Sequence, residues 1–406
     1  MRTEDYLFDF CIIGSGIIGM AIARDLINRD QSYKICIIEK EKDVAYHSSG
    51  RNSGVLHAGF YYTADSLKAK FTKDGNSEMT KFCEDNGLKI NKCAKVVVAK
   101  DSSELTGLYE LEKRGKTNGV NVSLIDEDEL QNIEPNAKTF KKALFSPNTS
   151  TVDPKEVCLC LKNELLNKGV QFFFNEEFKK IKRDYINIVY TSTAKKIKAS
   201  KVINCAGLYA DIVAKEFGFS EKYTIIPFKG LYVKYCGDSN PVNMNIYPVP
   251  NLKNPFLGVH YTVTVNENVK IGPTAIPAFW RENYCGFKNF KLSEFFSILS
   301  WEAYLFVLNK FNFRSLAFEE IKKYSKKYFT SLGKILVKDI NVKYFKEKTP
   351  PGIRAQLLNK ETKELVQDFV VEGDSYSVHI LNAVSPAFTC SFPFAKWVVD
   401  NHVFKN

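Results

Sequence analysis

No Cys-x-x-Cys pair occurs among the ten cysteines, and no cleavable leader is expected ahead of them. Neither a disulfide framework nor a thiolate metal site is expected, and no residue is assigned to a metal. The cysteines instead interrupt apolar runs, as in "FDFCIIG" and "KICIIEK", where a thiol serves as a small core residue of a reduced, cytoplasmic protein. Arginine-rich tails, long basic blocks, internal repeats and low-complexity linkers are missing too, although the formal net charge is +11. Lysines scattered over the whole chain argue against a nucleic-acid partner. They suit a plain basic surface, with peripheral contact at the anionic inner face of a membrane as the alternative. The most apolar window, Leu292 to Leu308, is too short to span a bilayer and carries Glu294 and Glu302. Its Leu292, Phe295, Phe296, Leu299, Ala303, Phe306 and Val307 recur at helical spacing and predict a packed amphipathic helix, a membrane-facing role for the aromatics being the alternative.

What is present is a chain of 406 residues, 45% hydrophobic and 25% charged, enough for two domains with a large core. It opens "YLFDFCIIGSGIIGMAIARDLINRDQSYKICIIEKEKD", which reads as buried strand, glycine turn, helix, second strand and acid, one βαβ unit. Helices are expected over Ser66 to Asn86 and Ser102 to Asn118, each stopped by a glycine, with a strand at "KCAKVVVAK" between them. A third begins at Pro154 behind Asp153. Val170 to Thr193 reads as a meander, "KVINCAG" as another buried strand, and Tyr223 to Ile276 as a mostly antiparallel sheet. The fold class is α/β: a Rossmann-like dinucleotide domain assembled from 1–80, 150–222 and 345–406, and a second α+β domain from 81–149 and 223–344, built on a mostly antiparallel sheet.

In "GSGIIG", Gly14 permits the tight turn, Gly16 lets backbone approach a pyrophosphate, and Gly19 lets helix and strand pack closely. Glu39, at the end of the second strand, is placed to accept ribose hydroxyls and disfavours a 2′-phosphate. The chain then runs into "HSSGRNSGVLHAGFYY" and not into further βαβ repeats. Small residues there suit backbone lying flat against a large planar ligand, with Ser48, Ser49, Asn52 and Ser53 as hydrogen-bonding groups beside it.

With "SGRNSGVLHAGFYYTADSLKAKF", "INCAGLYAD", "IIPFKGLYV", "NIYPVPNLKNPFLGVH", "IGPTAIPAFWRENY", "PGIRAQ" and "NAVSPAFTCS", the chain resembles the FAD-dependent L-2-hydroxyglutarate dehydrogenases/oxidases of the D-amino-acid-oxidase-like flavoproteins over nearly its whole length. The resemblance implies noncovalent FAD with its adenosine half on Gly14, Gly16, Gly19 and Glu39. The flavin ring would lie against Ser49, Gly50, Asn52, Ser53 and Gly54, with Ala206, Gly207 and Asp211 near the cofactor and Ser385, Pro386, Ala387 and Phe388 at its pyrimidine edge. "FLGVH" and "IYPVP" would line the substrate chamber.

The implied reaction takes L-2-hydroxyglutarate, or a related small anionic 2-hydroxy acid, to the 2-oxo acid by hydride transfer to flavin N5. Such a substrate needs its carboxylate anchored and its hydroxyl proton removed. Arg354 suits the first task as a bidentate guanidinium. His57 and His260 compete for the second, with His260 preferred as base and His57 as the orienting group. His47 is a cover for the cofactor, while His379 and His402 suit structural roles. Arg51 stands where the family carries histidine, so it either recognises a more anionic substrate or pairs with a neighbouring acid. Tyr61, Tyr62, Lys229 and Tyr247 are further wall candidates. The electron acceptor is oxygen, a quinone or an electron-transfer protein. The alternatives are an amine or amino-acid oxidase of the same superfamily and a non-catalytic dinucleotide-binding protein.

Overall fold

Residues 6–250 and 257–405 are described by the computed structural model of the chain. The 251–256 part of the expected chamber lining, Phe256 included, lies outside them. The chain divides into two units, each made of separate segments.

Unit 1 takes in the chain up to Arg51, Pro154–Pro227 and everything from Arg354 onward. Its centre is the parallel set Gln171–Phe174, Ile35–Glu39, Tyr6–Ile13, Lys196–Asn204 and Ser377–Asn382, in that spatial order. Phe178–Arg183 and Asn187–Thr191 extend it as the antiparallel meander. Cys11, Ile12, Cys36, Ile37 and Ile203 are almost wholly buried, as expected of strands covered on both faces; each large aliphatic side chain so buried contributes about 1.5–3 kcal/mol. The helices Ile17–Arg29 and Ala387–Val398 pack on one another against this sheet. Cys11 and Cys36 are register neighbours, and both are free thiols.

Unit 2 comprises Asn52–Asp153 and Phe228–Ile353. The expected boundary near residue 80 falls instead at 51, for reasons visible in the bonding. Val55–Leu56 pairs with Ser150–Val152, and Asn76 donates to the carbonyls of Leu56, His57 and Asn148 at 3.0–3.2 Å. The helix Leu67–Asp85, N-capped by Ser66, is thereby bound to this unit.

The unit is built on an eight-stranded sheet that runs antiparallel except where Asn245–Pro248 lies parallel to Lys95–Val98. Alternation sorts its side chains. Val96, Val98, Ile246, Tyr261, Val263 and Ile271 share one face and one core with Phe345, Leu336 and Phe329.

The Leu292–Leu308 helix forms, but its packing reverses the expectation. Glu294, Ile298, Glu302 and Leu305 make the buried stripe, while Leu292, Phe296, Leu299, Phe306 and Val307 are exposed. Both stripes recur at helical spacing, so periodicity alone does not choose between them. No helix among the described residues is long and apolar enough to cross a membrane.

Candidate active site

In unit 1 the buried strand Tyr6–Ile13 delivers the chain to Gly14, whose φ is +104° and whose added Cβ would stand 2.6 Å from the Cys205 carbonyl oxygen. A Cβ at Gly19 would meet the Gly14 carbonyl oxygen at 2.2 Å. Both positions therefore exclude every larger residue. Gly16 is the N-cap of the Ile17–Arg29 helix and supplies no side-chain cap; the Ile17 amide instead donates to Ser49 Oγ at 2.9 Å. The glycine turn and the serine loop thus meet at the positive end of one helix dipole.

Glu39 is buried and accepts from Ser15 N at 2.9 Å, Ser15 Oγ at 2.8 Å and Glu41 N at 3.0 Å. It fastens the end of its strand to the glycine turn. Gly50 closes the short turn Ser48–Gly50, and a Cβ on it would lie 2.0 Å from the Ala45 carbonyl oxygen. Ala206 sits behind Gly14, its amide donating to Asn204 Oδ1 at 3.1 Å. Gly207, at φ +55°, begins the turn that follows. The chain therefore offers a surface of bare backbone at a helix N-terminus with a carboxylate beside it, which fits a dinucleotide.

Other expected cofactor residues are engaged in the framework. Asp211 is fully buried and accepts from the Ile225 amide at 3.1 Å. Pro386 caps the Ala387–Val398 helix, and the Ala387 amide donates to Val384 at 3.0 Å; Ser385 is exposed and Phe388 half-buried at that start. His47 Nε2 is 2.9 Å from Glu41 Oε1, and that bond holds the Glu41 carboxyl down at about 2. His379 is fully buried between Asn204 and Ser377 at 3.2 and 3.0 Å, and His402 packs edge-on to Trp397. Arg51 Nε donates to the Tyr46 carbonyl at 2.6 Å, so backbone orients its guanidinium.

In unit 2 the second face of the large sheet divides: Val97 and Leu144 join an apolar core there, while the part carried by Asn245–Pro248, His260–Val263 and Val269–Gly272 is polar. Register sets Asn245 beside Lys95, Tyr247 opposite His260, and Thr262 opposite Lys270. Tyr247 and His260 stack with ring centroids 3.6 Å apart and 16° between planes. His260 Nδ1 lies 2.8 Å from the Gly258 carbonyl. A carbonyl can only accept, so Nδ1 carries the hydrogen and Nε2 presents a lone pair. Burial, and then the charges of Lys95 and Lys270, push the His260 pKa down to about 3 against the upward pull of the Gly258 bond. The imidazole is neutral throughout the ordinary pH range.

Lys95 is fully buried, and among the described residues its Nζ has no hydrogen-bond partner. That atom lies 4.1 Å from the Tyr247 ring centroid, 5.4 Å from Tyr61 and 5.7 Å from Phe60, an aromatic cage. Burial pulls its pKa down to about 7. Lys270, partly buried, donates to the Ser53 carbonyl at 3.3 Å, stands 4.7 Å from the Tyr232 ring and is lowered to about 8 by burial.

Sequence reasoning missed both lysines. The one signal for Lys95 was a lysine heading a wholly apolar strand, "KVVV". His260, Tyr247 and Tyr61 are brought together here. Asn52 Oδ1 accepts from Gly54 N at 2.9 Å, and Ser53 Oγ from Val55 N at 3.3 Å, which shapes the approach to His57. The His57 side chain is buried and its carbonyl anchors Asn76. Tyr62 is half-buried, 5.9 Å from Lys68 Nζ. Lys229 is drawn aside: it donates to Asn283 Oδ1 at 3.0 Å, and burial lowers its pKa. Arg354, half-buried, is the first residue of unit 1 on the strand Gly352–Asn359, which runs from one unit into the other.

A parallel sheet with a glycine turn at a helix N-terminus and an acid ending its second strand defines a dinucleotide-binding domain. Residues 9–400 match the FAD dependent oxidoreductase family, and the chain belongs to it. It is 34% identical to the L-2-hydroxyglutarate dehydrogenase of Escherichia coli K12, over 97% of this chain and 93% of that protein. It is 33% identical to the mitochondrial L-2-hydroxyglutarate dehydrogenase of Homo sapiens, over 97% and 88%. The fold resembles dithionite-reduced, FAD-bound L-alpha-glycerophosphate oxidase from Mycoplasma pneumoniae with a TM-score of 0.78 and 23% identity, covering 97% of this chain and 94% of that one. Glycine oxidase from Geobacillus kaustophilus shares it at a TM-score of 0.70 and 16% identity, with the same coverage. This chain is an FAD-dependent oxidoreductase.

Proposed function

We propose that the chain oxidises L-2-hydroxyglutarate, or a closely related anionic 2-hydroxy acid, to the 2-oxo acid. The observation that carries the reading is the polar face of the unit 2 sheet, where a neutral imidazole stands in the field of two lysines. That field attracts a dicarboxylate and repels the ammonium of an amine or amino acid, which disfavours the oxidase alternative. The names of the relatives point the same way.

In this reading Gly14, Gly16, Gly19, Glu39, Ser49 and Gly50 hold the FAD, which supplies the two-electron acceptor for the hydride on C2. His260 receives the hydroxyl proton at Nε2, and the Tyr247 stack with the Gly258 bond fixes the plane in which that lone pair points. An arriving dianion offsets the charges of Lys95 and Lys270 and so strengthens His260 as a base when substrate is present. Arg354 grips a carboxylate and His57 orients the substrate. Oxygen, a quinone or an electron-transfer protein takes the electrons onward. A cytoplasmic location with peripheral contact at an anionic membrane face completes the proposal, and either the substrate or the location can fail alone.

Anaerobic titration of the yellow protein tests it. L-2-hydroxyglutarate should bleach the flavin, whereas the D enantiomer and L-amino acids should not. Bleaching by an amino acid and by no hydroxy acid would overturn the assignment.

A further inference from the structure

Between residues 283 and 338 the chain carries four carboxylates, Glu294, Glu302, Glu319 and Glu320. Three are buried and Glu319 is half-buried. Glu294 accepts from the Arg281 amide at 3.0 Å, and Glu320 accepts from the Ala275 amide at 2.6 Å and pairs with Lys323. Glu302 is held as the neutral acid by burial, its pKa raised to about 8. Apart from Lys323, which is buried against Glu320, lysines of the same segment point outward: Lys288, Lys291, Lys310, Lys322, Lys326 and Lys327 are exposed.

The apolar side chains lie outside as well. Phe287, Phe296, Val307, Phe318, Ile321 and Tyr324 are between 54% and 85% exposed. Ring contacts gather the phenylalanines among them into two groups. Phe287 meets Phe290 at 6.3 Å, Phe290 meets Phe295 at 5.8 Å and Phe295 meets Phe296 at 5.5 Å, while Phe306 meets Phe318 at 5.7 Å between the helices Leu292–Leu308 and Phe313–Lys322. A helix that buries carboxylates and presents aromatic rings is arranged against the preference of water, and large apolar side chains exposed in groups mark an interaction site. A second copy of this face would bring lysines against lysines. A bilayer surface offers hydrocarbon to the rings and phosphate to the ammonium groups at once.

We propose that this face docks on an anionic lipid bilayer, with the rings at the headgroup boundary and the lysines on lipid phosphates. The proposal rests on the peripheral-contact reading above and not on the substrate assignment.

Co-sedimentation of the full flavin-loaded chain with vesicles of phosphatidylcholine, alone or with about one-third phosphatidylglycerol, tests it. Binding is expected to the anionic vesicles only and should fall with salt. The triple variant K322Q/K326Q/K327Q should bind roughly a hundredfold more weakly, about fivefold for each lysine lost. F296S/V307S, at positions that support no core, should lose binding and keep its flavin. Absence of binding to anionic vesicles, binding indifferent to both variants, or a dimer in ultracentrifugation that F296S/V307S dissolves would each overturn the proposal. Flavin reduction by L-2-hydroxyglutarate in the same vesicle-free samples reports on the substrate reading separately.

Discussion

Replacing Lys95 by methionine separates the cost of a buried charge from its use. The side chain sits in a cage of Phe60, Tyr61 and Tyr247 with no hydrogen-bond partner among the described residues. Its pKa falls from the usual 10.5 to about 7. At about 1.4 kcal/mol per pKa unit, keeping it protonated in the folded state costs roughly 5 kcal/mol net, the cation–π attraction of the cage included. Because the folded pKa is depressed, the unfolded chain binds the extra proton between pH 7 and 10.5, so the wild type gains stability as pH rises across that window. Below pH 7 it bears the whole cost. A methionine fills similar volume without a charge. Lys95→Met should therefore unfold at higher urea than the wild type at pH 6, by about 5 kcal/mol, and the advantage should vanish by about pH 10.5. Substrate affinity should fall in the same variant, since the positive field that attracts a dicarboxylate is weakened. A stability difference of the same size at both pH values, or a variant less stable than the wild type at pH 6, would refute the reasoning.

His260→Gln should slow anaerobic flavin reduction by between about a hundredfold and ten-thousandfold while substrate affinity changes little; an unaltered stopped-flow rate would remove His260 as the base. Glu39→Gln weakens a carboxylate that accepts three donors from the glycine turn and its own strand end, so FAD affinity should drop about tenfold, read as flavin lost on dialysis. For Glu302, whose pKa rises from 4.5 to about 8, the folded chain holds the proton through that interval. Its contribution is therefore full below pH 4.5 and falls as pH rises to 8. Glu302→Gln should consequently match the wild type near pH 4.5 and exceed it by roughly 5 kcal/mol above pH 8 in urea melts.

The turn around Gly14 was legible because its requirements are local. A positive φ at Gly14 and a 2.2 Å contact at Gly19 are imposed by residues a few positions away, and glycine is their only solution. The acid at Glu39 follows from the length of one βαβ unit. His260 and Tyr247 could be nominated from the family resemblance, but their stack could not, since it depends on register between strands. Lys95 was illegible for a stronger reason. Its strand pairs with Asn245–Pro248, far along the chain, and no local pattern says that a lysine at a strand end will be roofed by aromatics. The boundary at Arg51 was missed because Asn76 chooses its unit through backbone carbonyls, which leave no trace in composition. The Leu292–Leu308 helix was inverted because its two candidate stripes share one period, and the Arg281 amide that Glu294 satisfies lies outside that pattern.

The polar sheet face has one more consequence, and it concerns heat. Lys95 at about 7 and Lys270 at about 8 both titrate within the working range of the protein. An anion settling beside them raises both values, so binding at pH 8 must draw protons from solution. The binding enthalpy measured in calorimetry should then shift with the ionisation heat of the buffer. The slope of that line counts the protons taken up, and in Lys95→Met it should become shallower.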